Sequence, residues 1–442
     1  MPTMLLQSSF IVAAAHSSTT VLLVSLPAKM SKPVYLLTGD VGGTNSRMSL
    51  YLAESLCTSI DDPVCVKYFR NAEYLPTEKL SDKSAFSTCI VVPFLEHCWK
   101  TCGGDQLVSD VKDCEILACL ATAGLVLQNS VQMTNLGNLL VDGTAMEQDS
   151  SNSFIDAVKT CRIINDFVAQ GYGCLTLNES EVRHLHGPKT PLSKLLTGPK
   201  ICVGAGTGLG ECYLTPSGDG SYVCFPSEGG HAEYAPRNDL ELDLWKYLSD
   251  KFSSKHRVSV ERVVSGKGLA NVYEFLSEKC PDRVIQTIHK EFLEAGDEQG
   301  RVVAENSKQP GCSLCRQAME IMMNAYGCEV GSAAIKWIPV GGLFVTGGLT
   351  PKNIDYIEGE NSDFLVAYKN KGRVAPLLER IPLYAVMTED LGVRGVHKAA
   401  KSLYESRGGA VRSKKTPWDM TAALVTAAAL GFVAGAFLSK RR

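Results

Sequence analysis

The sequence predicts an α/β protein with room for two cores, and three observations carry that expectation. The chain has 442 residues, 45% of them hydrophobic, whereas a domain usually runs to about 100–200 residues. Short aliphatic runs that end in glycine recur from Val34 onward: VYLLTG, EILACLATAG, KICVGAG and LFVTGG. Longer amphipathic stretches separate them, so strand-like and helix-like patterns take turns along the chain. With 21% charged residues, this composition excludes collagen, extended disorder and low-complexity scaffolds. No internal repeat is visible, which excludes a solenoid.

In chain order, residues 1–32 form an extension. MPTMLLQSSFIVAAAHSSTTVLLVSLPAKM is apolar, rich in Ser and Thr and free of acids, and its first basic residue is Lys29. It lacks the charged start of a secretory signal and the arginines of a typical transit peptide, so a targeting segment and a plain extension both remain open. From Val34, the strand YLL leads into Thr38–Arg47 and a second apolar run, MSLYLA. EILACLATAG and the IIN before Asp166 are further strands. Residues 176–199, with Pro188, Pro191 and Pro199, read as an excursion between strands. KICVGAG and ECYL frame a turn. Residues 239–252, 266–279 and 314–337 have helical spacing, the last long and mostly buried, and LFVTGG is a short strand fenced by glycine pairs.

The tail differs. Residues 407–442 carry seven basic groups against one acid, Asp419, and the net charge of the whole chain is −3. The body is therefore acidic, and an acidic body repels phosphate backbones, so no nucleic-acid partner is expected. Met420–Ser439 is an uncharged stretch of 20 residues behind a basic linker, 406–419. As a helix at about 1.5 Å per residue it spans a bilayer's hydrocarbon core. Trp418 stands at an interfacial position, and Gly431–Gly435 is a G-x-x-x-G that permits close helix pairing and hence a homodimer. A buried Ala-rich helix is the bland alternative. The 16 cysteines are scattered through apolar runs, which suits buried thiols in a reducing compartment better than a disulfide framework. Cys312 and Cys315 form a lone C-x-x-C, read as packing because a structural zinc needs four ligands.

Three glycine-rich turns carry the chemistry. In Thr38-Gly-Asp-Val-Gly-Gly-Thr-Asn-Ser-Arg47 the adjacent Gly42 and Gly43 let backbone N–H groups approach an anion. Thr44 adds a hydroxyl and Asn45 follows, while Asp40 is placed for a magnesium ion or its water shell. In Val203-Gly-Ala-Gly-Thr-Gly-Leu-Gly210, four alternating glycines exceed what a hairpin needs. A phosphate-embracing turn built on Gly206, Thr207 and Gly208 is the simplest reason for them. Neither the Walker loop nor the Rossmann fingerprint matches, since strand continues after the turn. Gly341–Gly348 is a strand between glycine pairs, and Gly347 and Gly348 let a flat adenosine lie against the backbone.

Taken in order, these turns resemble the ATP-binding superfamily shared by sugar kinases, actin and heat-shock chaperones. The motifs between them are similar to those of the bacterial-type glucokinases: Ile164-Asn-Asp-Phe167, Ser227-Glu-Gly-Gly-His231, and VSVERVVSG from Val258 to Gly266. MTN (133–135), KGR (371–373) and LGVRGVHKAA (391–400) add to the resemblance, which spans roughly 34–405. It implies a two-domain actin-like (ribonuclease H-like) ATPase fold with a cleft. The smaller domain would be 33–170, with 390–405 returning to it, and the larger 171–389. It implies ATP-dependent phosphorylation of D-glucose on its 6-hydroxyl, with ATP and Mg²⁺.

By that resemblance Asp166 is the general base, and phosphoryl transfer from ATP to an alcohol does need a carboxylate in reach of the hydroxyl proton. Read from its context alone, Asp166 is equally an N-cap aspartate. Asn165, Glu228, His231 and Glu261 are implied to bind sugar hydroxyls. ROK-type sugar kinases place zinc after a comparable E-G-G-H, using clustered cysteines. This chain continues Ala-Glu-Tyr-Ala-Pro (232–236), so no zinc is expected. Leu125 stands where many relatives have proline, and Asn138-Leu139 where an aromatic is frequent, and both bear on sugar preference. The rivals are a kinase for mannose, fructose or an amino sugar, and a catalytically silent, membrane-tethered sugar sensor. The tail resembles tail anchors of the mitochondrial outer membrane, with plastid and peroxisomal membranes as alternatives, and leaves the catalytic body in the cytosol.

Overall fold

A computed structural model of the chain describes residues 32–409, apart from 54–59, 61, 77–79, 103–105 and 255. The N-terminal extension, most of the basic linker and the Met420–Ser439 stretch therefore lie outside the described residues. Among the described residues no helix is long and apolar enough to cross a membrane.

The first half builds one sheet and a ribbon. Its strands are β1 (Val34–Val41), β2 (Asn45–Leu52), β3 (Cys65–Arg70), β4 (Glu115–Thr122), β5 (Ser130–Met133), β6 (Leu139–Asp142) and β7 (Val158–Asn165). The sheet order is β3-β2-β1-β4-β7, with β5-β6 apart as the ribbon. β1, β4 and β7 run parallel, so Asp40, Thr122 and Asn165 end on one edge, with Asp40 opposite Ala121 and Thr122 opposite Asn165. The second half adds β8 (Val182–His186), β9 (Lys200–Ala205), β10 (Leu209–Pro216), β11 (Tyr222–Ser227), β12 (Leu343–Thr346) and β13 (Leu383–Val386). They form a sheet in the order β11-β10-β9-β12-β13-β8, with β12 parallel to both β9 and β13.

Period-two alternation sorts each strand between two cores. Tyr35, Leu37 and Val41 enter the core on the outer face of the first sheet, with Phe94, Leu95 and Cys98 of the helix Val92–Thr101. Ile201 and Val203 enter the outer core of the second sheet, with the helices Gly266–Lys279 and Ser313–Trp337. The intervening residues Leu36, Leu117 and Cys119 share a central core with Cys202, Phe344 and Tyr384 of the other sheet. Two helices fill that middle layer, Asp166–Cys174 and Leu391–Gly409. They cross at glycines: a Cβ on Gly395 would come 2.5 Å from the carbonyl carbon of Ala169, and one on Gly173 would come 2.9 Å from Leu391 Cα. The described cysteines are free thiols, most of them buried, and Cys312 and Cys315 pack into the outer core of the second sheet.

Two boundaries differ from the sequence reading. Residues 176–199 are not only an excursion, because Val182–His186 pairs antiparallel with β13; an edge strand tolerates the polar V-R-H-L-H sequence that hides it. The last helix runs to Gly409, past the expected start of the linker at 406. Arg407 holds its final turn by bonding to Glu115 Oε2 and Thr160 Oγ1, each at 2.8 Å.

Candidate functional site

The first glycine turn joins β1 to β2, closed by the Gly42 N–H donating to the Asn45 carbonyl at 2.9 Å. Asn71, only 1% exposed, grips it from below. Its Nδ2 donates to the Gly42 carbonyl at 2.8 Å, its Oδ1 accepts from Ser46 Oγ at 2.7 Å, and its N–H donates to the Thr44 carbonyl at 2.9 Å. Nothing in the sequence marks Asn71, since its three partners become neighbours only when β3 pairs with β2. Thr44 and Asn45 are exposed. Gly43 is needed because a Cβ there would press on Asn135 of the MTN stretch, 2.9 Å from its Nδ2. Asp40 lies opposite Arg47 in the strand register. Burial raises the Asp40 carboxyl above the usual aspartate range, against the lowering pull of the Arg47 guanidinium.

β7 delivers Asn165 and Asp166 to the same edge. Asn165 is the helix N-cap: its Oδ1 accepts from the N–H groups of Phe167 and Val168 at 2.8 and 3.3 Å. Its Nδ2 donates to the Gly124 carbonyl at 3.1 Å. The capping role weighed for Asp166 thus falls to its neighbour, and Asp166 is the first residue of the helix. Its Oδ1 accepts from the Phe167 N–H at 2.9 Å. Burial pushes its carboxyl up to about 6, opposed by that N–H and helped by the negative charges of Asp40 and Glu228. The carboxylates of Asp40 and Glu228, from separate elements, therefore both act on Asp166. Gly124 holds a positive φ of 117°, which a side chain rarely tolerates, and Leu125 beside it is exposed.

The second glycine turn joins β9 to β10, and the structure divides its glycines by task. Gly204 and Gly210 make room for Phe167. A Cβ on Gly204 would lie 3.0 Å from the Phe167 Cζ, and one on Gly210 would overlap the ring, 2.5 Å from its Cγ. The phosphate-cradle reading of all four glycines is corrected to this extent, for Gly210 is demanded by the Phe167 ring and Gly204 by Thr346 together with that ring, a Cβ there lying 3.0 Å from the Thr346 carbonyl carbon as well. Gly206 has open space where a Cβ would be, and a Cβ on Gly208 would reach Glu261 Oε2 at 2.5 Å. Thr207 at the tip is exposed. Gly347 abuts the same turn at a φ of 81°, where a Cβ would sit 2.8 Å from the carbonyl carbon of Ala205. Gly348 is less confined, for a Cβ there would lie 3.6 Å from both Glu389 Oε2 and Lys352 Nζ.

Glu228 and His231 flank the Gly229-Gly230 turn after β11, exposed and 3.9 Å apart between Oε2 and Nε2. Glu261 lies on the short turn Val260–Arg262, where its Oε2 accepts the Leu209 N–H at 2.9 Å. This ties it to the second glycine turn and leaves Oε1. His231 and Glu261 line one hollow of about 160 Å³ with Arg257 and Ser259. Arg257 Nη2 donates to the His231 carbonyl at 2.6 Å. Beneath Gly229 lies Glu211, 1% exposed, with its Oε2 accepting from Tyr213 OH at 2.7 Å. Burial first, then the Glu329 carboxylate, pushes Glu211 up to about 7. Its place inside ECYL gave no sign that it supports the Glu228–His231 turn.

The donor set fits a nucleoside triphosphate carrying a divalent cation. Gly206 offers backbone with open space over it, and the repelling carboxylates of Asp40, Asp166 and Glu228 are relieved by a cation. Comparison with known proteins gives the family. Residues 37–403 match the family model described as Glucokinase. The chain is 39% identical to the glucokinase of Nostoc sp. (strain PCC 7120) over 300 residues, 65% of this chain and 82% of that one. It is 33% identical to the glucokinase of Synechocystis sp. (strain PCC 6803) over 374 residues, 82% and 96% of the two chains. Among solved structures, glucokinase from Balamuthia mandrillaris in complex with glucose gives a TM-score of 0.61 at 21% identity, covering 84% of this chain and 95% of that one. A glucokinase from an Antarctic psychrotroph gives 0.57 at 22%, covering 83% and 99%. These structural likenesses show the fold, the two-domain actin-like arrangement of sugar kinases.

Proposed function

From the premise that this chain belongs to the glucokinase family, we propose how its residues divide the work. The reaction is ATP-dependent phosphorylation of D-glucose on the 6-hydroxyl. Asp166 accepts the hydroxyl proton as the oxygen attacks the γ-phosphoryl group. An ordinary aspartate is a feeble base, and raising it to about 6 strengthens it while leaving it mostly ionised at neutral pH. The N–H groups of Gly43, Thr44 and Asn45 and of Thr207 and Gly208 hold the phosphates, while the N–H groups of Gly42 and Gly206 close their own turns on the carbonyls of Asn45 and Gly208 at 2.9 and 2.8 Å, and Gly347 and Gly348 face the adenosine. Asp40 holds Mg²⁺ through water, and the ion supplies neutralisation of phosphate charge. Glu228, His231 and the free Oε1 of Glu261 take sugar hydroxyls. Asn165 offers a single remaining Nδ2 hydrogen, its other amide groups being spent on the cap and on Gly124.

One observation supports this reading above the rest: the buried Asp166 carboxylate feels both Asp40 at the phosphate end and Glu228 at the sugar end. The test is a coupled ADP assay on Asp166→Ala across a panel of sugars. Turnover collapses while glucose binding survives if Asp166 is the base. Persistent turnover removes it from that role, and a preference for mannose, fructose or an amino sugar replaces glucose as the substrate. A wild-type protein that binds sugar without turnover is a sensor.

We further propose that residues 33–170 with 390–405, and residues 171–389, close on each other around the sugar and exclude water. Met420–Ser439 is proposed as a tail anchor, on the mitochondrial outer membrane first and a plastid or peroxisomal membrane otherwise, with the catalytic body in the cytosol. The motif Gly431–Gly435 there is the proposed homodimer contact. Imaging of residues 407–442 fused to a fluorescent protein tests the anchor, and a diffuse signal ends it.

A further inference from the structure

A second hollow lies away from the glycine turns. It is about 410 Å³ and lies between Ile60, the loop that leaves the Asp166 helix and the C-terminal helix, lined there by Thr176, Asn178, Glu181, Arg394, His397, Lys398 and Lys401. That volume is in the range of small-molecule sites. Its charges are unevenly spent. Arg394 is neutralised, its Nη2 donating to Glu181 Oε1 at 2.6 Å and its Nε to Asp390 Oδ2 at 2.8 Å. Lys398 and Lys401, one helical turn apart on the same face, are both partly buried. Among the described residues neither ammonium group has an ion pair or hydrogen bond.

His397 is 7% exposed, lies against the Tyr51 ring with centroids 4.4 Å apart, and leaves its Nε2 without a partner. Burial, then the nearby Lys401 ammonium, holds it down at about 4, so the imidazole beside the lysines is neutral at pH 7. Asn178 spends its Oδ1 on the Ser180 N–H and hydroxyl, leaving its Nδ2 hydrogens. Two unpaired ammonium groups one helical turn apart on the lining of one hollow repel each other, and an anion between them relieves that cost.

We propose that this hollow is a binding site for a phosphate-bearing small molecule. Lys398 and Lys401 hold the phosphate oxygens by charge-assisted hydrogen bonds. Asn178 Nδ2 adds a neutral donor, and the Thr176 side chain, whose hydroxyl donates to the Gly173 carbonyl at 2.7 Å, keeps lone pairs for a hydroxyl on the rest of the molecule. The position has a mechanical consequence. Thr176 and Asn178 follow the helix that begins at Asp166, and the two lysines ride the helix whose Gly392 lies beside Asp40, a Cβ there being 3.5 Å from Asp40 Oδ2. An occupant ties the two middle-layer helices together at the end opposite the carboxylates.

Free phosphate and a sugar phosphate share the recognised chemistry, and the experiment separates them. The full chain, with glucose and a non-hydrolysable ATP analogue saturating the first site, is titrated calorimetrically with inorganic phosphate and with glucose 6-phosphate. One saturable site is expected. Affinity falls about tenfold or more in the double variant Lys398→Glu/Lys401→Glu and is kept within about twofold in Lys398→Arg/Lys401→Arg. Glucose affinity is unchanged in both. Equal affinities assign the site to free phosphate, and a tighter ester assigns it to a sugar phosphate. The proposal is overturned by no saturable heat up to about 10 mM of either ligand, or by undiminished binding in the glutamate variant. Should that variant not fold, Lys401→Gln alone carries the same expectation of weakened binding.

Discussion

Gly210→Ala tests whether Phe167 sets the spacing between Asp166 and the second glycine turn. The added methyl would lie 2.5 Å from the Phe167 Cγ, and at the opposite end of the ring the space beside Gly204 is also closed, since a Cβ there would lie 3.0 Å from Cζ. Because Cγ sits next to the chain, rotation of the ring does not clear it, and either β10 or the first turn of the Asp166 helix must move. Overpacking of this type costs about 1–3 kcal/mol. Phe167 is only partly buried, so Phe167→Leu alone costs less than the 3–5 kcal/mol usual for emptying a buried aromatic site, about 1 kcal/mol. The smaller side chain makes room for the methyl, so the double variant recovers about 1 kcal/mol or more of the summed losses. The effect reaches catalysis because the Phe167 N–H is a hydrogen-bond donor to Asp166, and misplacing a reacting group by about 1 Å costs up to about 100-fold. Urea denaturation and a coupled ADP assay on all four proteins read both consequences. Gly210→Ala within about 0.5 kcal/mol and twofold of wild type, or strict additivity in the double variant, refutes the argument.

Asp166→Asn loses turnover by about 100-fold or more yet stabilises the fold at pH 7. The folded carboxyl is raised to about 6, so its ionisation weakens the native state progressively from pH 3.8 to 6, and its removal returns at most about 3 kcal/mol; an unchanged melting temperature counts against that burial. For the same reason wild-type kcat/KM rises with pH up to about 6 and levels off above it, and a flat profile between pH 5 and 7 removes Asp166 as the base. Asn71→Ala breaks two side-chain bonds under the first turn, at a cost of about 1–3 kcal/mol, and raises KM for ATP more than KM for glucose; an equal rise in both means that the turn does not hold nucleotide. Glu211 is raised to about 7, so it too costs stability as pH rises from 4.5 to 7. Glu211→Gln flattens that slope and is read by denaturation at pH 5 and 8.

What the sequence made legible was whatever repeats or punctuates. Glycine-ended aliphatic runs marked β1, β4, β9 and β12, and the long apolar stretch after Cys312 marked its helix to within a residue. Clustered motifs supplied the candidate residues of the site. What stayed hidden depends on pairs of residues far apart in the chain. Gly204 and Gly210 advertise a ligand, but it is the Phe167 ring, with Thr346 beside Gly204, that asks for their missing side chains. Asn71 is one asparagine among many until β3 lies beside β2 and presents three backbone and side-chain partners at once. Glu211 reads as one more polar residue in a strand, because the turn that it underlies arrives from β11. The edge strand Val182–His186 shows no alternation of its own and owes its existence to β13.

The middle layer also has a bearing on how the molecule is made. Asp40 is among the first residues of the body to be synthesised, whereas the helix that carries Gly392 beside it is the last described element to leave the ribosome. Until then Leu36, Leu117 and Cys119 lack the part of their covering that comes from Val396 and Ala400. A nascent chain stalled before Leu391 thus holds both sheets but lacks one helix of the layer between them, and pairing the two ends of the body makes a slow closing step.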